Sequence, residues 1–320
     1  MIKLSVVIPS RERERVLSET LRRLLEQANW LPVEVIVVYD GPSAERRIAT
    51  EMAGTPAIPL TVTEQPALGP AAARNRGIEL ARGDACLFLG DDAWPRDGLL
   101  EHHLGFHRSR PGEREAMLGR ADPAPPLDRS PFIRWLHSDG VQFGYGGLKP
   151  GPVGPECFWT ANVSAKTSLL REAGGFDEAF TDAACEDAEL GLRLARAGMR
   201  LTYDPEAITD HYHPTDLERT IGRMRRVGRA YRVLEPRAPE LPMPTPPSAK
   251  HRLKAAALAP LALVGADQRR TWRFLCDEAQ REAYWRVEPP AGRRLAIGDR
   301  LARVAIRGKD ARGVEGEGLG

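Results

Sequence analysis

The stretch ACLFLGDDAWP, residues 85–95, decides how the chain is read. An apolar run, residues 85–89, ends abruptly in two adjacent carboxylates, Asp91 and Asp92. The run is predicted to be a buried strand whose carboxyl end meets a polar crevice. Open α/β sheets bind ligands at such ends. Hard divalent cations such as Mg2+ and Mn2+ take oxygen ligands from carboxylates and phosphates. A metal–diphosphate site at Asp91 and Asp92 is therefore the functional expectation. The plainer reading has both acids solvating a strand-to-helix turn. Pro95 is expected to open the next helix, where its missing N–H costs little.

Before this stretch the pattern strand–helix repeats. Residues 4–8 and 33–38 read as buried strands and 58–63 as a third, from their β-branched and apolar runs. Helical spacing marks residues 13–29, about 44–52 and 71–81, and a further helix is expected over 95–108. Such alternation argues a mostly parallel sheet flanked by helices. Polar residues follow each strand: Ser10 to Glu12, Asp40 to Ser43, and Asp91 with Asp92. In a parallel sheet all of them reach the same carboxyl edge, which favours a nucleotide site.

After this stretch the pattern loosens. Residues 121–156 are rich in Pro, Gly and aromatics, Trp135, Phe143 and Tyr145 among them, and read as a long functional loop. A strand is expected at 157–163, a turn at GGFDE (174–178), a helix at 186–197 closed by Gly198, and short strands at 199–203 and 207–211. Residues 215–234 are expected to form a basic helix with Arg219, Arg223, Arg225, Arg226 and Arg229, either a solvated face or a contact for anionic lipid or for a diphosphate-bearing acceptor. A proline-rich linker (236–248), helices at 251–264 and 268–285, and a Gly-rich disordered tail (308–320) complete the chain.

Composition narrows the function. The 320 residues carry 46 basic and 44 acidic side chains, a net charge of +2, which gives no footing for nucleic acid as partner. Cys86, Cys157, Cys185 and Cys276 are scattered without a CxxC pair, which argues against a zinc knuckle or a thioredoxin-type motif. No signal-peptide pattern opens the sequence, and its longest mostly apolar stretch, 255–264, is too short to span a bilayer. A cytoplasmic protein is expected, with peripheral membrane contact left open.

Six segments together resemble glycosyltransferase family 2, over roughly residues 4–213. They are SVVIPSRERERVLSETLRRLLEQ, EVIVVYDGPS, GPAAARNRGIELARGDACLFLGDD, GGFDEAF, EDAELGLRLARAG and YDPEAITDHYH, in family order and spacing. The resemblance implies a GT-A fold over 1–213, with a nucleotide-binding half (1–120) and an acceptor-side half (121–213). The basic helix (214–235), linker and a helical C-terminal extension (249–307) follow it. It implies sugar transfer from a nucleotide-diphosphate sugar to a sugar, lipid-linked or other hydroxyl acceptor, inverting and assisted by Mn2+ or Mg2+. Bacterial polysaccharide, glycolipid or cell-envelope assembly is the implied setting.

The resemblance also assigns roles. Asp92 and His211 would hold the metal, with His213 as a substitute for His211. Pro9, Ser10, Glu12, Asp40, Arg74, Asn75 and Asp91 would bind the nucleotide-sugar. Trp159 and Asn162 would line the sugar pocket. Asp187 would be the general base, beside Glu186. His103 and His107, spaced i, i+4, could pair on a metal, but a surface helix is the simpler expectation. Three positions depart from the family: Arg11-Glu12 replace its Tyr-Asn, Tyr39-Asp40 its Asp-Asp, and Gly90 the first acid of its DxD motif. A retaining transferase on the same fold, or a nucleotide-sugar-binding protein without turnover, would share these features. A nucleotidyltransferase is disfavoured, because PSRERE after the first strand contains no glycine.

Overall fold

Alternate residues of the first strand belong to different cores. Val6 and Ile8 face one apolar layer with Val35, Val37, Leu87 and Leu89. Val7 faces the other with Ile36, Val38, Cys86 and Phe88. Period-two burial on both faces is what continuous apolar strands require. The computed structural model describes residues 2–28, 30–42, 52, 58–246, 248, 250–251, 253–254, 257–258 and 268–285. It divides into two compact units, Met1–Pro214 and Thr215–Gly320.

In the first unit β1 (Leu4–Ser10), α1 (Glu14–Gln27), β2 (Val33–Asp40), β3 (Leu60–Gln65), α2 (Pro70–Leu80) and β4 (Ala85–Leu89) follow as predicted. Strand β1 lies between β2 and β4, parallel to both, and β2 pairs with β3, also parallel. Helix α1 covers one face through Leu17, Leu21 and Leu24. Helix α2 covers the other through Ala71, Ala73 and Ile78. The expected helix at 44–52 lies outside the described residues, Met52 aside.

The rest of this unit corrects several expectations. Pro95 does not open a helix: it ends a short strand, β5 (Ala93–Pro95), paired antiparallel with the last strand. Gly98, with φ of 85°, then starts α3 (Leu99–Ser109). Residues 115–123 form a strand, β6 (Glu115–Pro123), that their sequence, with Gly119 inside it, does not advertise. The segment 121–156 is not one loop: it holds α4 (Pro131–Ser138), with Pro131 at its start and the Ser130 hydroxyl accepting from the Ile133 N–H, and a short strand β7 (Gly151–Pro152). The strand expected at 157–163 lies later, as β8 (Asn162–Lys166), after a single 3-10 turn at Pro155–Cys157. Helices α5 (Thr167–Glu172) and α6 (Glu186–Arg196) lead to one long strand, β9 (Arg200–His211). Its register against β6 slips between Leu118 and Arg120, and the two short strands read from sequence flank that irregularity.

The described strands make one sheet in the order β3-β2-β1-β4-β8-β6-β9-β5, with β7 on β9. Strand β8 is antiparallel to β4 and β6, and β9 is parallel to β6. The sheet is thus parallel through β4 and mixed beyond it. Because β8 reverses between them, β6 and β9 run in the direction of β4. Their ends share its carboxyl edge.

The second unit contains α7 (Leu217–Leu234), capped by Asp216 accepting from the Arg219 N–H, and α8 (Gln268–Tyr284). A Cβ on Gly228 of α7 would lie 2.2 Å from the Gln280 carbonyl oxygen of α8, so this glycine permits the close helix approach. The proline-rich segment is strapped to α8: Trp285 Nε1 donates to the Pro244 carbonyl and Arg281 Nε to that of Thr245. Most of the helix expected at 251–264, and all of the tail, lie outside the described residues. No described helix is long and apolar enough to cross a membrane.

Candidate active site

The turn after β4 is clamped from two sides. Thr20 of α1 donates to the Asp91 carbonyl at 2.7 Å, and the Tyr212 N–H donates to the Asp92 carbonyl at 2.7 Å. Tyr212 also stacks on Trp94, ring centroids 4.5 Å apart. Both carboxylates are therefore held buried at the edge where β1 and β9 also end. Ser10, at the end of β1, donates to Asp91 Oδ2 at 2.9 Å. Arg13 lays one guanidinium nitrogen across both acids, 2.9 Å from Asp91 Oδ1 and 2.7 Å from Asp92 Oδ2.

The two carboxyls differ in charge preference. Burial and the charge of Asp92 push Asp91 up to about 6, against the pull of Arg13 and Ser10. Burial would raise Asp92 as well, but His211, His213 and Arg13 hold it well below the usual carboxylate value. Asp92 is thus the fixed anion of the site.

Two histidines at the end of β9 face it. His211 Nε2 lies 3.5 Å from Asp92 Oδ1, and His213 Nδ1 lies 3.2 Å from Asp92 Oδ2. Their rings stack at 5.4 Å and 4°. One ligand atom from each of Asp92, His211 and His213 falls within 4.8 Å of the others. A carboxylate with two imidazoles is a donor set for a divalent transition-metal ion, so these residues fit such a cation. Behind His211 stands an aromatic wall. Phe143 packs against His211 and Trp159, and Trp159 meets Tyr145 edge-on at 4.8 Å. Trp159, predicted for the sugar pocket, is half-buried in this wall.

A second polar cluster lies at the start of α6. Glu186 is buried and accepts from Arg74 Nη1 of α2 at 2.9 Å. Burial and the adjacent Asp187 push Glu186 up to about 7, while Arg74 opposes this. Asp187 is half-buried, its Oδ1 accepting from the Ala188 N–H. The segment entering α6 turns through Cys185, whose φ is 69°.

Other residues expected to bind substrate are engaged within the fold. Asp40 accepts from the backbone N–H groups of Leu68 and Gly69 and from Gln65, and so fixes the turn into α2. Asn75 accepts from the Phe176 N–H and donates to the Phe176 carbonyl and to Glu178, tying α2 to the GGFDE turn. Asn162 is fully buried. Its amide donates to the Arg120 and Ala207 carbonyls and its oxygen meets His103 Nε2 at 2.9 Å, so it ties β8 to β6, β9 and α3. The surface-helix expectation for His103 and His107 is also corrected. Both are buried against Ser164 of β8, at 2.8 Å each. Pro9 is half-buried, and Glu12 is exposed with a φ of 54°.

Sequence reading missed Arg13 and His137. The available signal for Arg13 was a cation three residues beyond the β1 end. His137, whose Nε2 lies 3.0 Å from His211 Nδ1, gave none, because the helix carrying it was read as loop.

Residues 5–112 match the model of glycosyl transferase family 2, and residues 134–239 match that of glycosyl transferase family group 2. The pre-mycofactocin glycosyltransferase of Mycobacterium tuberculosis is 32% identical over 246 residues, 75% of this chain and 49% of that protein. This chain belongs to glycosyltransferase family 2. A validoxylamine A glucosyltransferase from Streptomyces hygroscopicus is 27% identical over 231 residues, 64% of this chain and 54% of that one. The chain therefore spans about half the length of these curated relatives. Among solved structures, the mannosyltransferase PcManGT from Pyrobaculum calidifontis, in complex with GDP-Man and Mn2+, superposes with a TM-score of 0.62 at 19% identity. It covers 89% of this chain and 88% of that one. TarS 1–349 of S. aureus gives 0.53 at 16% identity, over 90% and 93%. These likenesses establish the GT-A fold.

Family 2 membership sharpens one departure. Gly90 stands where the family's first DxD acid would be, and a Cβ there would lie 2.7 Å from Asp92 Oδ1. Glycine thus leaves Asp92 the orientation in which it meets Arg13, His211 and His213.

Proposed function

We propose that this family 2 chain transfers a sugar from a nucleotide-diphosphate sugar to an acceptor hydroxyl, with inversion and with a divalent cation, Mn2+ or Mg2+. The observation that carries the reading is the Asp92–His211–His213 cluster beside Asp91 at the carboxyl edge of the sheet. Asp92, His211 and His213 would hold the cation, whose chemistry when bound is Lewis-acid neutralisation of the leaving diphosphate. Ser10 and Arg13 orient Asp91 and Asp92. Arg13, with 40% of its side chain exposed, also offers positive charge to a diphosphate at this edge. The half-buried Trp159 offers an apolar face for a sugar ring. The half-buried Asp187 is the general base, while Glu186, buried and paired with Arg74, holds the start of its helix. The acceptor proposed is a sugar, lipid-linked or other hydroxyl compound of bacterial polysaccharide, glycolipid or cell-envelope assembly; the relatives named above are a pre-mycofactocin glycosyltransferase and a validoxylamine A glucosyltransferase.

Release of nucleoside diphosphate from a panel of UDP- and GDP-sugars in the presence of Mn2+, with product configuration read by NMR, tests the proposal. At least one donor is expected to turn over with inversion. Asp187→Asn is expected to bind that donor nearly normally and to lose at least about a hundredfold in turnover. Near-normal turnover by Asp187→Asn would remove the base assignment, and a product of retained configuration would overturn inversion.

A further inference from the structure

The near-zero charge of the whole chain conceals a local excess in the second unit. Helix α7 holds six arginines and a single acid, Glu218. Its inner face is apolar, with Leu217, Ile221, Met224 and Val227 buried. The outer face exposes Arg219, Arg226 and Arg229 at helical spacing. Arg219 stands 3.9 Å from Asp216 at the helix cap. Helix α8 packs parallel to α7. Arg223 and Arg273 both act on the Cys276 thiol, Gly228 faces the Gln280 carbonyl, and the Tyr284 hydroxyl donates to Glu235 just past α7. The amino-terminal halves of the two helices therefore share one end. There α8 exposes Arg269, Arg270 and Arg273, and all its acids, Asp277, Glu278 and Glu282, come later. Lys254 joins this end from the preceding segment, its Nζ 5.4 Å from the Phe274 ring. Beside it Leu253 is 71% exposed.

We propose that this basic end of the second unit is a docking surface for an anionic phospholipid bilayer, with Leu253 as its apolar contact. Arginines on three segments beside an exposed leucine complement a surface that offers phosphate charge above a hydrocarbon layer. A single-stranded nucleic acid would call for aromatic faces on which bases stack. The aromatics at this end, Trp272 and Phe274, are buried instead. The inference goes beyond the transferase reading and does not depend on it, since neither donor nor cation enters.

Co-sedimentation of the full chain with lipid vesicles tests the proposal. The wild type is expected to bind phosphatidylcholine vesicles that contain phosphatidylglycerol at least about tenfold more tightly than phosphatidylcholine alone, and to be released by high salt. The double variant Arg226→Gln with Arg229→Gln changes two exposed side chains on the outer face of α7. It is expected to bind the anionic vesicles at least about tenfold more weakly at an unchanged melting temperature. Arg76→Gln with Arg108→Gln removes the same charge from exposed positions of the first unit and is expected to leave vesicle binding unchanged. Leu253→Asn is expected to weaken it about threefold. Wild-type binding that is absent or indifferent to lipid charge overturns the proposal without any variant. An equal loss in both double variants would trace binding to net charge and overturn the assignment to this end, and an unchanged Leu253→Asn would overturn the apolar contact. Affinity for double-stranded DNA equal to that for anionic vesicles, at the same phosphate concentration, would overturn the choice of lipid.

Discussion

His103 shows how one buried side chain can have the spacing of a metal ligand and the work of a strut. Its two nitrogens meet Ser164 and Asn162, and Asn162 in turn secures the Arg120 and Ala207 carbonyls. His103→Ala removes a partner from two buried polar groups and opens a cavity. It is expected to cost about 2–4 kcal/mol in denaturant unfolding, with Mn2+ affinity of the folded protein unchanged. Loss of Mn2+ binding without loss of stability would contradict the structural role. Asp92 was singled out in the sequence because it follows an apolar strand, and His211 only through the resemblance to the family. Arg13 was not, because its partners lie 78 and 79 residues away and only the closed sheet brings them together. Asn162 was named only through the resemblance, and the structure shows its amide tying β8 to β6 and β9.

At the level of elements, α3 presses His103 and His107 into the sheet. Burial holds His103 down at about 4 and His107 at about 3. Below an unfolded value near 6.5, the unfolded chain binds protons that the folded chain refuses, so stability contributed by these groups is lost as the pH falls from about 6.5 toward 4. Asp91 and Glu186, pushed up to about 6 and about 7, act with the opposite sign over the carboxyl range. The difference between two proteins isolates the histidine effect. The melting temperature of His107→Phe is expected to fall less than that of wild type between pH 6.5 and 4.5. Parallel curves would show that His107 is not held neutral. The apolar runs β1, β2 and β4, the amphipathic α1 and the small-residue α2 were readable from sequence. Strand β6 was not, since EAMLGRADP lacks a β-branched run and its partners β8 and β9 come later in the chain. Pro95 was misassigned because its pairing with Thr209 of β9 is equally remote.

Over the whole first unit, the parallel strands bring Ser10 and Asp91 to one edge, and the reversal at β8 returns β9 so that His211 arrives there too. Local sequence announces the parallel half, because its central strands are continuous apolar runs and the helices between them are bounded by turn residues. It does not announce β8's direction, which is settled by what remains to be paired at β4. The resemblance of the final YDPEAITDHYH segment to the family anticipated the His211 position that the topology explains. The claim on which the functional reading stands is that this edge binds a nucleoside diphosphate through a divalent cation anchored by Asp92. Isothermal titration of UDP and GDP into the full chain, with Mn2+ and then with chelator, tests it most directly. The account predicts that one of the two binds with Mn2+, that chelation weakens it at least about tenfold, and that Asp92→Asn behaves like the chelated wild type. Equal affinity with Mn2+ and with chelator, or normal Mn2+-dependent binding by Asp92→Asn, would contradict it.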